Sequence, residues 1–201
     1  ISLVVMSPLR FLSRPARWLW ALHRHRGTLS AAPNFAFELC LNKVVDADIE
    51  GLDLSSWRFA FNGAEPVSPT TVRRFCERFG SYGFRPSAMA PVYGLAESAV
   101  GLAFPPPDRG ALIDRVRRES LLGSGVAQPA DEADPDALEF VACGQPLPGY
   151  QIRIVASGMT ALRAAERWCK DHGISARVLG DDLQGDAAEL ARSQARQALE
   201  L

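Results

Sequence analysis

Short apolar runs alternate with longer amphipathic stretches over residues 1–155 of the chain. Arg58-Phe59-Ala60-Phe61 has the period of two that is typical of a half-buried strand. Apolar side chains then recur at the helical spacing i, i+3, i+4, i+7, at Val72, Phe75, Cys76 and Phe79. The other predicted strands are residues 1–6, 28–32, 88–92, 99–104, 140–144 and 151–155. The predicted helices are residues 15–25, residues 34–43 and one that is capped by Ser68 and ends at Gly80 or Gly83. Strands interleaved with helices indicate the α/β class.

Two helix starts carry their own signals. Ser68 followed by Pro69 is a typical pair of N-cap and first-turn residue, and Asn34 can cap the helix that follows Pro33. Residues 113–122 carry three arginines, Arg115, Arg117 and Arg118. We expect these side chains to form a solvated face and not a binding patch.

The pattern changes character near residue 156. The predicted elements there are a helix over residues 159–172 that stops at Gly173, a strand over residues 174–179 and a last helix from about Leu183. The side chains expected to face inward on the first of these helices are Leu162, Ala165, Trp168 and Cys169. We therefore expect two segments, residues 1–155 and an αβα piece at residues 156–201.

The composition is that of an ordinary soluble protein, with 201 residues, 47% hydrophobic residues and 22% charged residues. A net charge of −1 offers no argument for nucleic acid or an anionic membrane as a partner. The four cysteines form no CxxC pair, which disfavours a zinc site or a disulfide scaffold and suits a reducing cytoplasm. No apolar run approaches the ~18 residues of a membrane-spanning helix. The chain starts at Ile1 on an apolar run, and we interpret it as a piece of something longer.

One stretch, Tyr93-Gly94-Leu95-Ala96-Glu97, combines three groups that suit a nucleotide and metal site. The tyrosine ring can stack on a base while its hydroxyl stays paired, and Gly94 permits a tight turn in which backbone approaches a ligand. The carboxylate of Glu97 offers the oxygen ligand that a phosphate-bound Mg²⁺ prefers. The plain alternative is a junction of strand, turn and helix with a surface glutamate.

A second stretch, Asn62-Gly63-Ala64-Glu65-Pro66, follows the predicted strand at Phe59-Ala60-Phe61. Its small residues would let backbone amides and carbonyls meet the edge of an adenine directly. The alternative is an ordinary loop that turns at the glycine and ends at the proline.

Together these stretches resemble the fatty acyl-AMP ligase branch of the adenylate-forming superfamily, which includes acyl-, aryl- and luciferase-type ligases. The other segments that carry the resemblance are residues 6–8, 14–19, 32–40 and 52–58 and the run Gly144-Gln145-Pro146-Leu147-Pro148-Gly149. They occur in the family's order and cover about residues 1–155. The resemblance implies an α/β fold, a fragment of the large N-terminal domain with a mixed sheet and packed helices, followed here by the short αβα tail.

The resemblance also implies a reaction and its site. A fatty acid would be activated by ATP, with Mg²⁺, to give acyl-AMP and pyrophosphate, and the acyl group would pass to an acyl carrier protein or coenzyme A. The implied nucleotide-binding residues are Asn62, Gly63, Ala64, Glu65, Tyr93, Gly94, Leu95 and Ala96, with Tyr93 stacked on the adenine. Glu97 would hold the metal. Asn34 and Phe35 would border the acyl pocket, although an apolar helix face of this kind also suits plain core.

Three parts of the family pattern are missing from this sequence. They are a Ser/Thr/Gly-rich phosphate loop ending in lysine, an aspartate for the ribose hydroxyls after residues 144–149, and the C-terminal domain with its catalytic lysine. We therefore expect little or no adenylation by this chain alone. A non-catalytic nucleotide-binding or interaction module is the first alternative function.

The tail resembles part of the glycerate 2-kinase family, on Ala156-Ser157, Thr160-Ala161-Leu162 and the run from Val178 to Ala187. This second resemblance implies a chimera, a fusion or a frameshifted product, and a kinase-related fragment is the second alternative function. Asp181 and Asp182 could bind a metal phosphate, but acidic residues at a helix start usually act as caps.

Overall fold

The computed structural model describes residues 2–153, 158–178, 192 and 194–196. It divides into two units, residues 1–150 and residues 151–201, and each is described by itself. The helices of the first unit are α1 Pro8–Ser13, α2 Ala16–His25, α3 Asn34–Lys43, α4 Pro69–Gly80 and α5 Arg118–Ser124. Its strands are β1 Leu29–Ala32, β2 Phe59–Asn62, β3 Met89–Pro91, β4 Ala103–Phe104, β5 Leu112–Val116, β6 Leu138–Ala142 and β7 Gln145–Pro146.

The centre of the first unit is a three-stranded parallel sheet in the order β1, β2, β3. Parallel neighbours need a crossover connection, and α3 supplies it between β1 and β2 while α4 supplies it between β2 and β3. Ala32 pairs with Asn62, and Asn62 pairs with Pro91, so the three strands end together. The loops that follow β2 and β3 therefore leave the sheet at the same edge.

Two antiparallel ribbons complete the first unit, one formed by β4 and β7 and the other by β5 and β6. Parallel and antiparallel pairs thus occur together with packed helices. The predicted α/β class is confirmed.

The core is built from aromatic rings contributed by α3, α4 and the segments beside them. Trp57 and Phe84 meet edge to face with ring centroids 5.2 Å apart, and Phe37 meets Phe75 in the same way at 5.0 Å. Cys40 packs among these rings, and burial raises the pKa of its thiol to about 12. All four cysteines are free.

The helix starts show one confirmed prediction and one correction. Ser68 caps α4, since its hydroxyl accepts a hydrogen bond from the backbone N–H of Thr71 at 3.2 Å. Asn34 does not cap α3. It is the first residue of the helix, Pro33 holds the cap position, and no side chain of the cap bonds the helix.

Two strand predictions in the first unit are wrong. Residues 2–7 have no regular structure, and α1 begins at Pro8, where a strand was expected to end. Of residues 99–104 only Ala103–Phe104 is a strand, because Ala99 and Val100 are in the left-handed region with φ of 51° and 72°. An apolar run becomes a strand only where a partner lies beside it in the ladder.

The prediction of a solvated Arg115 is also wrong. Its guanidinium donates to three backbone carbonyls of residues 131–134 and lies 3.5 Å from the carboxylate of Glu139. The same carboxylate accepts two hydrogen bonds of 2.7 Å from Arg73 on α4, and these bonds lower the pKa of Glu139. The β5–β6 ribbon is therefore fastened to α4 by a charged network.

The second unit contains α6, Gly158–Asp171, close to its predicted bounds. Gly173, with φ of +71°, ends it as predicted, and the N–H of Ile174 bonds back to the carbonyl of Cys169 at 2.8 Å. The prediction of an inward face is wrong for three of its members, since Leu162, Ala165 and Trp168 are exposed.

The strand predicted over residues 174–179 is absent from residues 174–178, and the one predicted over residues 151–155 is absent from residues 151–153. Asp181, Asp182 and the start of the last predicted helix lie outside the described residues. Within the residues described, no helix has the length and apolarity needed to cross a membrane.

Candidate functional site

The two predicted binding stretches form neighbouring loops, the β2 loop at residues 62–66 and the β3 loop at residues 93–102. The N–H of Val92 donates to the carbonyl of Asn62 at 2.8 Å. A Cβ on Gly63 would lie 2.7 Å from the carbonyl oxygen of Val92, so only glycine permits this approach. The two loops therefore lie side by side and are in contact through their backbones.

The β2 loop begins with a buried amide network. Asn62 is fully buried and its Nδ2 donates to Oδ1 of Asn34 at 3.3 Å. The same oxygen accepts from the backbone N–H of Ser68 at 3.1 Å, which joins the loop to the start of α4. Oδ1 of Asn62 has no hydrogen-bond partner among the described residues. Asn34 therefore ties α3 to both ends of the loop.

Glu65 takes the capping role that was predicted for Asn34. Its Oε1 accepts a hydrogen bond of 2.5 Å from the backbone N–H of Phe35, in the first turn of α3. That N–H has no partner inside the helix, and a negative charge is favourable at a helix N-terminus. Ala64, with φ of 66°, makes the left-handed turn that precedes Glu65.

The β3 loop is closed by backbone hydrogen bonds. Tyr93 and Ala103 exchange a pair of 3.1 and 2.9 Å, and Leu95 accepts from the N–H groups of Ser98 and Val100 at 3.0 and 3.1 Å. Residues 96–98 form a short 3₁₀ turn. The ring of Tyr93 is half-exposed and the side chain of Glu97 is exposed, so both predicted groups are accessible in this unit.

The structure adds a reason for glycine at position 94 to the predicted approach to a ligand, which stays a prediction. A Cβ there would lie 1.5 Å from the carbonyl oxygen of Val100, so the loop's own backbone occupies the space. Val100 is itself left-handed, which is unusual for a β-branched residue. No local signal in the sequence indicated this closure.

A third stretch, the Gly144–Gly149 run, contacts the end of the β3 loop. β7 lies within the Gly144–Gly149 run and pairs with β4, with Ala103 opposite Pro146. The N–H of Leu147 donates to the carbonyl of Leu102 at 2.9 Å. In the sequence this run was only one of the segments that carry the family resemblance. In the structure it supports the end of the β3 loop.

An apolar cleft of about 280 Å³ opens beside the start of α3. Phe35, which is 47% exposed, forms one wall, and the rings of Phe11 and Trp18 lie among the others. Asn34 is not part of the lining, because its buried side chain is used by the amide network. Of the two residues predicted at the acyl pocket, Phe35 alone faces an open apolar space.

Glu97 is the predicted metal ligand, and the residue type fits the ion. No group of three or more His, Cys, Asp or Glu side chains within the described part of the chain could hold a metal by itself. Mg²⁺ commonly takes one or two carboxylates and completes its shell with phosphate oxygens and water. A single exposed carboxylate in the β3 loop is compatible with that arrangement.

Comparison with known proteins shows the family to which the chain belongs. Residues 1–165 match the model of the AMP-binding enzyme family, and the chain belongs to that family. The match continues past residue 155, where the pattern was expected to change.

Two of the relatives that it matches are fatty acid ligases by their names. The chain is 39% identical over 156 residues to the medium-chain-fatty-acid–[acyl-carrier-protein] ligase JamA of Moorena producens, which covers 77% of this chain and 26% of that protein. It is 40% identical over 152 residues to the long-chain-fatty-acid–AMP ligase FadD26 of Mycobacterium marinum, covering 76% and 26%.

Among solved structures, the crystal structure of fatty acid AMP ligase from Legionella pneumophila superposes with a TM-score of 0.67 and 37% identity, covering 70% of this chain and 24% of that one. The crystal structure of fatty acyl-adenylate ligase from L. pneumophila in complex with acyl adenylate and pyrophosphate superposes with a TM-score of 0.66 and 37% identity, covering 70% of this chain and 25% of that one. The chain spans about a quarter of the length of these relatives.

Proposed function

We propose that the chain carries the adenosine- and acyl-facing part of a fatty acid-activating ligase. In that reaction a carboxylate oxygen of the fatty acid bonds to the α-phosphorus of ATP, and the bond from that phosphorus to the pyrophosphate breaks. The products are acyl-AMP and pyrophosphate. The proposal rests mainly on one observation: the β2 loop and the β3 loop leave neighbouring parallel strands at their carboxyl ends, where ligands bind in α/β folds, and the Gly144–Gly149 run contacts the end of the β3 loop.

Different residues would contact the adenine and the α-phosphate of the nucleotide. The half-exposed ring of Tyr93 would stack on adenine, and the backbone of residues 63–65 would line the adenine edge, with Asn62 fixing that backbone from behind. The backbone of residues 94–96 would approach the α-phosphate. Holding two anions in reacting geometry is the main task of such a site.

Two further groups would bind the metal ion and the fatty chain. Glu97 would hold Mg²⁺, which neutralises phosphate charge when bound. The cleft beside Phe35 would take the start of the fatty chain, and Asn34 would act indirectly by fixing the helix turn that carries Phe35.

The acyl acceptor would be a carrier protein or coenzyme A, since JamA is by its name an acyl-carrier-protein ligase. Four free cysteines suit a reducing cytoplasm, which we propose as the compartment.

Binding to the chain tests the nucleotide site. We expect calorimetry to detect AMP and a non-hydrolysable acyl-AMP analogue, with Tyr93→Ala about tenfold weaker because a stacked base is lost. Phe140→Ala, which removes another half-exposed ring outside the site, is the matched control and should bind as the wild type does. Equal binding by Tyr93→Ala and the wild type would contradict the stacking role.

Exchange of pyrophosphate into ATP tests the reaction. With medium- and long-chain fatty acids we expect little or no exchange by this chain alone, because it lacks a phosphate loop and a catalytic lysine. Turnover near that of a complete ligase, abolished in Glu97→Ala, would refute this. AMP binding without exchange would favour a non-catalytic nucleotide-binding module.

For residues 156–201 we propose no part in this chemistry. Their resemblance to glycerate 2-kinases stays a prediction, as does a separate origin for this segment. Phosphoryl transfer from ATP to glycerate by the chain would contradict the proposal.

A further inference from the structure

Glu65 differs from the other exposed residues of the two loops because its side chain already has a partner. Its Oε1 lies 2.5 Å from the backbone nitrogen of Phe35, 30 residues away in the sequence. Ala64, immediately before it, is left-handed, so the turn of the loop and the hydrogen bond occur together. A side chain used in this way is not free to meet a nucleotide.

A second link runs parallel to the first. Asn34, the neighbour of Phe35, accepts hydrogen bonds from Asn62 and from the N–H of Ser68. Asn34 is thus bonded to residues on both sides of Glu65 in the chain, while Phe35 is bonded to Glu65 itself. The β2 loop and the first turn of α3 form one polar joint, of which Glu65 is the outer, solvent-facing part.

We infer that Glu65 is a positioning residue, which holds the adenine-lining backbone of the β2 loop at a set distance from the acyl cleft beside Phe35. This inference rests on the proposed function. An acyl adenylate would touch both sides of the joint, whereas AMP would touch only the loop side. Loosening the joint should therefore weaken the acyl adenylate more than AMP.

The affinity ratio between a non-hydrolysable acyl-AMP analogue and AMP measures this effect. Partial unfolding lowers both affinities by the same factor and leaves their ratio unchanged. A residue that only stabilises the fold would therefore not alter the ratio.

Two substitutions at position 65 distinguish the effect of side-chain length from the effect of side-chain charge. Glu65→Gln keeps an oxygen at the same reach and loses the charge, whereas Glu65→Asp keeps the charge and is too short by one methylene. We expect calorimetry on the full chain to show the wild-type ratio in Glu65→Gln and a ratio about fivefold lower in Glu65→Asp, the cost of one lost capping bond. Glu77→Gln, on the exposed side of α4, is the matched control and should not change the ratio.

The other outcomes of this experiment would contradict either the positioning role alone or the proposed function as a whole. An unchanged ratio in Glu65→Asp, or a loss in Glu65→Gln with none in Glu65→Asp, would overturn the positioning role while leaving the ligase proposal intact. A wild-type chain that binds neither AMP nor the analogue would overturn the proposed function, and the positioning role with it.

Discussion

The β2 loop and the β3 loop meet at one edge of the sheet, but they are held there in different ways. Side chains hold the β2 loop, since Asn34 and Glu65 bond it to the start of α3. Backbone holds the β3 loop, through the Tyr93–Ala103 pair and the close approach of Gly94 to Val100. The first arrangement depends on which polar groups are present, and the second depends on which side chain is absent.

The contrast extends to strain. The β2 loop has one left-handed alanine, whereas the β3 loop has two consecutive left-handed residues, Ala99 and Val100, the second of them β-branched. Such conformations persist where the surroundings impose them, and they cluster at binding sites. The loop that carries the proposed metal ligand is thus the more strained of the two, and substitutions should reveal the difference.

The largest effect is expected from Gly94→Ala. The new Cβ would fall 1.5 Å from a backbone oxygen, which cannot move as a flexible side chain can, so the loop must shift. We expect a loss of about 3 kcal/mol in the free energy of unfolding, measured by urea denaturation. Gly80→Ala is the control, because a Cβ there meets no heavy atom within 4 Å. If both variants were as stable as the wild type, the closure at Val100 would be wrong.

Asn34→Ala should have the next largest effect. It would leave the N–H of Ser68 and the amide of Asn62 without their acceptor, and unsatisfied buried donors are costly. We expect about 2 kcal/mol of destabilisation in the same assay. Asn42→Ala, at an exposed position of the same helix, should lie close to the wild type. Because alanine has the higher helix propensity, a similar cost at both positions is not expected and would contradict the role of the amide network.

Val100→Gly should have the smallest effect, and of opposite sign. Glycine adopts the left-handed region without the steric cost paid by valine, but it also has more freedom in the unfolded chain. We expect a net gain of about 0.5 kcal/mol, seen as a higher melting temperature. Val126→Gly, at an exposed valine without positive φ, should destabilise slightly. A loss at Val100 as large as that at Val126 would indicate that the loop carries no strain.

Features that depend on neighbouring residues could be predicted from the sequence. Ser68 with Pro69 started α4 where expected, because a cap needs only the N–H groups of the next turn. Gly173 ended α6 for the same kind of local reason. The Tyr93 and Gly63 stretches also identified the family, since their order along the chain is itself a sequence property.

Features that depend on distant partners could not be predicted. The apolar run at residues 1–6 has the composition of a strand, yet residues 2–7 pair with no strand in the described part of the chain. Arg115 was expected in solvent because no nearby residue showed that carbonyls of residues 131–134 would surround it. The hydrogen bond from the backbone N–H of Phe35 to Glu65 could not be predicted, because the two residues are 30 positions apart in the sequence.

The sequence by itself determined the α/β class, most helices of the first unit, the three central strands and the two stretches that would meet a nucleotide. These follow from side-chain periodicity, caps and glycines, which act over a few residues. Only the tertiary structure decided that Gly94 serves the loop's own closure, that Glu65 caps α3, and that the Gly144–Gly149 hairpin supports the β3 loop. The reason is physical: a hydrogen bond or a steric approach between distant segments exists only once the parallel sheet has brought their ends together.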